Sequence, residues 1–135
     1  MTPDLTYLTW AAALCVLVWV PYILARITVW GLPQAMGYPD NPPELPKWSQ
    51  RAGKAHLNLV ENLAPFAALV LVAHVAGLAN ENTALGAAVF FWARVVQWLA
   101  HVAGVPYVRT LAFAVSLIGL GTIFVVIVAG GAAAM

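Results

Sequence analysis

The residues that could do chemistry fall into two runs. The first, Arg51-Ala-Gly-Lys54-Ala-His56-Leu-Asn58-Leu-Val-Glu61-Asn62-Leu-Ala-Pro65, sets charged and amide side chains among Leu, Val and Ala. At about 100° per residue, Arg51, Lys54, Asn58, Glu61, Asn62 and Pro65 share one helical stripe about 100° wide, and His56 falls on another face. In the second run Arg94, Gln97, Trp98 and His101 recur at i, i+3, i+4 and i+7, one face of a second helix, and Arg109 and Thr110 follow soon after. Arg51, Lys54, Arg94 and Arg109 stand against Glu61 alone, which leaves a cluster of net charge +3 (four cations less one anion). Such a cluster in apolar surroundings calls for a ligand bearing carboxylates or phosphates, and the hydrocarbon around it suits a lipophilic second substrate. Nothing points to a metal: Cys15 stands alone in an apolar run, and His56 and His74 would lie about 27 Å apart along one helix. A plainer reading of the same stripes is that they hold helices together in lipid, with Arg51 and Lys54 reaching up to the headgroups.

The elements that carry these residues are membrane spans. The chain has 135 residues, of which 63% are hydrophobic and 8% charged, with a mean hydropathy of +0.87. Soluble domains carry about 25% charged residues, so a water-soluble globule is excluded. The net charge of +1 also argues against a nucleic-acid partner. Four stretches are long and apolar enough to cross a bilayer: about 5–30, 49–76, 83–103 and 108–132. Pro21 predicts a kink in the first, Ser49 is placed to cap the second, Gly77 ends it, and Gly104-Val-Pro106 separates the third from the fourth. The expected architecture is all-α, a single-domain integral membrane four-helix bundle over residues 1–135. Arg26, Lys47, Arg51, Lys54 and Arg109 gather on the side of the 31–48 loop and the 104–108 turn, which the positive-inside rule makes cytoplasmic, with both termini opposite. Counting inward from the helix ends sets Arg94 about 15 Å deep and Glu61 about 18 Å deep, which predicts an ion pair between them.

The run Lys54-Ala55-His56-Leu57-Asn58-Leu59-Val60-Glu61, continued by Pro65-Phe66, resembles the second-helix signature R-A-H-x-N-x-x-E-x-x-x-P-F of the MAPEG family, the membrane-associated proteins in eicosanoid and glutathione metabolism. Ala93 to His101 followed by Arg109-Thr110 is similar to the junction of the third and fourth helices in its synthase members. The resemblance implies a homotrimer with glutathione sites between subunits, and a glutathione-dependent transferase or peroxidase acting on a lipophilic electrophile. One branch of the family presents lipids to another enzyme, which makes a non-catalytic lipid binder the alternative. Carried over by position, Arg51, Lys54, Asn58, Glu61, Arg94, Gln97 and Thr110 would bind glutathione as thiol co-substrate, Arg109 would stabilise its thiolate, and His101 would assist. Three positions depart from the pattern: Lys54 replaces an arginine, Leu57 a second arginine found in some members, and His101 a tyrosine.

Overall fold

A computed structural model describes residues 1–135, the side chain of residue 134 excepted. Six helices follow in order: α1 (Pro3–Leu17), α2 (Val20–Trp30), α3 (Leu32–Met36), α4 (Lys47–Val75), α5 (Glu81–Ala103) and α6 (Pro106–Ala134). Together α1 and α2 form one span, and with α4, α5 and α6 they make four helices long and apolar enough to cross a membrane. The chain is therefore an all-α, four-span membrane bundle.

The first span is two helices because of Pro21. With no N–H it cannot donate to the Leu17 carbonyl four residues earlier, and α1 ends at Leu17. Val18 and Trp19 keep right-handed backbone angles through the break, so the span bends without turning away. The 31–48 loop holds one short helix, α3.

Three helix ends differ from expectation. The α4 helix starts at Lys47 behind Pro46, so Ser49 is no cap: it lies buried in the first turn with its hydroxyl unpartnered. The α5 helix starts at Glu81 because Asn80 caps it, its side chain accepting from the backbone N–H of Asn82 (2.9 Å) and Thr83 (3.1 Å). Thr83 closes the box by accepting from the Asn80 N–H at 2.8 Å. The same hydroxyl lies 3.3 Å from the carboxylate of Asp4, which is buried, and this contact ties the start of α1 to the start of α5. The α6 helix starts at Pro106, whose missing N–H costs nothing in a first turn.

The core lies between α1, α4, α5 and α6. Phe66 and Phe90 stack at 4.0 Å between ring centroids, packed with Ala11, Val70, Ala87, Phe91, Leu120 and Ile123. The α5 and α6 backbones touch at paired glycines: a methyl group added to Gly119 would sit 2.6 Å from the Gly86 carbonyl oxygen. Small residues permit such close approach, which replaces the hydrophobic drive that lipid cannot provide. The outer surface carries Leu24, Leu57, Leu71, Leu85, Leu99, Ile118 and Phe124, as a lipid-facing surface should.

Candidate functional site

The stripe on α4 is divided by the direction of the core. Setting Arg51 at zero, the buried residues Ala52, Ala55, Leu59, Phe66, Val70 and Ala73 lie between about 40° and 100°. Arg51, Asn58 and Asn62 fall within about 20° of zero and are half-buried. Lys54, Glu61 and Pro65 lie further round, between about 280° and 320°, and are exposed on the outside of the bundle. His56, at about 140°, flanks the core on its other side.

This division overturns the expected ion pair. Glu61 faces outward, and the carboxylate plays no part in holding Arg94, which is 1% exposed. Arg94 Nη2 donates instead to Asn58 Oδ1 at 2.5 Å, and Gln97 Nε2 donates to the same oxygen at 3.3 Å. Arg94 Nε and Nη1 are buried without partners, and its guanidinium lies 6.0 Å from the Phe90 ring centre and 5.8 Å from that of Phe113. A cation held by one neutral amide and two aromatic faces keeps its charge uncompensated.

Beside this cluster, Asn58, Gln97, His101, Arg109, Thr110 and Phe113 enclose a cavity of about 300 Å³. A second of about 190 Å³ lies toward Gly104, Val105 and Pro106, lined also by Arg51, Ala100, His101 and Arg109. His101 and Arg109 line both, so they stand between a deeper and a shallower compartment. Arg51 is partly committed elsewhere. Its Nε donates to the Val102 carbonyl at 3.0 Å, a cation on the C-terminal end of α5, where the helix leaves its carbonyls unsatisfied. That end closes on Gly104 in the left-handed region (φ 79°), with Val105 N–H donating to the Ala100 carbonyl at 2.9 Å. Thr110 lines the deeper cavity, while its hydroxyl donates to the Pro106 carbonyl at 3.0 Å.

Of the nine residues singled out in the sequence, the structure thus brings Asn58, Arg94, Gln97, His101, Arg109 and Thr110 together, sets Arg51 at the rim, and turns Lys54 and Glu61 outward. The sequence pattern of the MAPEG family matches residues 7–129. The chain belongs to the MAPEG family. Comparison with curated proteins returns no match. Family membership and four spans make this MAPEG protein an integral membrane protein, linked in general terms to glutathione-related or eicosanoid metabolism.

One cluster of the MAPEG chain escaped the sequence reading. Tyr22 and His56 share a hydrogen bond of 3.1 Å between the phenol oxygen and Nδ1, and the Arg26 guanidinium lies over both the Tyr22 ring (5.4 Å) and the Trp30 ring (5.6 Å). The i, i+4, i+8 spacing of Tyr22, Arg26 and Trp30 puts them on one face of α2, a signal available in the sequence. The apolar side of the molecule has its own feature, a groove of about 440 Å³ between α5 and α6 lined by Val89, Trp92, Val96, Val108, Leu111 and Val115 among others.

Proposed function

We propose that the chain is a membrane-embedded, glutathione-dependent transferase or peroxidase acting on a lipophilic electrophile. The observation that supports this reading is the convergence of Asn58, Gln97, His101, Arg109 and Thr110 on one cavity beside the uncompensated Arg94 charge. Glutathione carries two carboxylates and one ammonium, and it supplies the reactive thiol. The cationic cavity suits the carboxylates, and amide and hydroxyl groups there suit the peptide bonds. Arg109 would favour the thiolate over the thiol, since a nearby cation stabilises the charged form. His101 would donate a hydrogen bond to the sulfur, the task of the tyrosine it replaces. In transfer, a sulfur lone pair forms the bond to the electrophilic carbon and the displaced group leaves with its bonding pair. With a hydroperoxide, two thiols yield one disulfide, an alcohol and water.

Lys54 and Glu61 support a homotrimer in this reading. Both are exposed on a span, with Leu57, Val60 and Ala64 around them, and a charge so placed is costly unless protein or ligand covers it. Pro65 adds to this face, because it has no N–H to offer the Glu61 carbonyl. A neighbouring copy over the face would turn both residues into parts of a site between subunits. The cationic residues at the Arg51 end support a cytoplasmic position for that end.

Mixing purified protein with glutathione and reading thiolate absorbance tests the activation step. The expected result is a thiolate signal that Arg109→Ala removes; no signal in the natural protein overturns the proposal. The apolar groove on α5 and α6 favours a second reading, a non-catalytic binder of lipid derivatives. Calorimetry separates the two: binding of a fatty-acid analogue with no glutathione binding selects the second.

A further inference from the structure

Asn58 is a single amide shared by two buried donors, and this settles which way it faces. Arg94 and Gln97 both donate to Oδ1. A guanidinium has no acceptor at all, so an amide turned end for end would set its NH2 group against the donors of Arg94. The Oδ1 atom is therefore fixed toward α5 and the Nδ2 group away from it. Among the described residues Nδ2 has no hydrogen-bond partner, and unlike Arg94 Nε and Nη1 it is not sealed off from open space. Asn58 and Gln97 line the deeper cavity and Arg94 does not.

The buried cation adds to the effect. Its bond to Oδ1 draws electron density through the amide and strengthens the opposite N–H groups as donors. A carboxylate at position 58 would accept from the same two donors, but it would neutralise Arg94 and offer the cavity no proton.

Resting on the reading of the cavity as a thiol-peptide site, we propose that Arg94 and Gln97 are positioning residues, which clamp the Asn58 amide so that its NH2 group donates to a carboxylate or carbonyl of the bound peptide. Arg94 lies outside the cavity, and Gln97, although it lines the cavity, acts here by holding Asn58. Their effect passes through Asn58.

The test is a set of variants of the full chain in nanodiscs, measured by glutathione calorimetry and by melting temperature. Asn58→Asp keeps the acceptor and loses the donor: glutathione Kd rises at least about tenfold, or 1.4 kcal/mol, while the melting temperature holds or rises. Gln97→Leu and Arg94→Met each raise Kd in the natural background and add nothing in an Asn58→Ala background, the mark of two residues acting through a third. Arg94→Lys, which still donates from a cation, recovers part of the Arg94→Met loss. The clamp is overturned if Asn58→Asp binds glutathione as the natural protein does, or if the Gln97→Leu loss persists undiminished in Asn58→Ala. Should Arg94→Met fail to fold, Gln97→Leu carries the cycle alone. If the natural protein binds no glutathione, the proposed function is what fails, and the clamp is read from the nitrogen-15 signals of the Asn58 side-chain amide: Gln97→Leu shifts them if the amide is held, and leaves them in place if it is not.

Discussion

Glu61→Leu gives opposite results according to what lies against the outer face of α4. Glu61 is the fifteenth of the 29 residues of that helix, so its carboxylate hangs near the middle of a rod about 43 Å long. Its neighbours on that side, Leu57, Ala64 and Ala68, are exposed as well. An acidic side chain at bilayer centre costs about 2.5–3.5 kcal/mol on insertion scales and leucine gains about 0.5, so a lipid-facing Glu61 would make the variant about 3–4 kcal/mol more stable. If a second copy covers the face and pairs the carboxylate, removing it leaves the partner charge buried alone, at about 3–5 kcal/mol. The two cases differ in sign, so the direction of the change decides between them. Native mass spectrometry and thermal unfolding in nanodiscs read it. The expected result is a lower melting temperature together with smaller assemblies. A variant that melts higher, with its oligomeric state unchanged, refutes the covered face and with it the site between subunits.

Three further outcomes follow from the packing. Gly119→Val sets a side chain 2.6 Å from the Gly86 carbonyl and 2.8 Å from the Phe90 backbone nitrogen, and forcing α5 and α6 apart costs about 1–3 kcal/mol; Gly121→Ala, with open space around it, leaves the melting temperature unchanged or slightly raised. Asn80→Ala removes the α5 cap and about 1 kcal/mol, seen as a lower melting temperature with glutathione affinity intact. Arg51→Met loses its bond to the Val102 carbonyl and about 1–2 kcal/mol, and weakens glutathione binding less than Asn58→Asp does, because Arg51 is held at the helix end.

The spans were legible because a bilayer imposes one simple requirement, about 20 apolar residues each, and four stretches of this chain meet it. The break at Pro21 was legible for a local reason, a missing donor. Helix starts were less so. Ser49 has the right side chain for a cap, yet the chain is already helical when it arrives; Asn80 stands in the polar run Asn80-Glu81-Asn82-Thr83, where Asn82 and Thr83 are cap residues by type as well. Asp4 and Thr83 are 79 positions apart, and their contact depends on the packing of α1 against α5, which no periodicity within either helix reveals.

The exchange of Glu61 for Asn58 as the partner of Arg94 has two causes, rotation and depth, and both trace to α4. The apolar residues Ala52, Ala55, Leu59 and Phe66 already mark the core direction in the sequence, at about 40–100° from Arg51. Measured from there, Asn58, at about 340°, is closer to the core direction than Glu61, at about 280°, the far edge of the stripe. Depth points the same way once α4 begins at Lys47: Asn58 lies about 16 Å along the helix and Glu61 about 21 Å, against about 15 Å for Arg94 counted from Gly104. Charge complementarity favoured the carboxylate, but a side chain can pair only with what its helix turns toward it at the same level. The consequence is chemical as well as geometric. A Glu61 partner would have consumed the Arg94 charge, whereas a neutral amide passes its polarisation on to the cavity and leaves the cluster cationic.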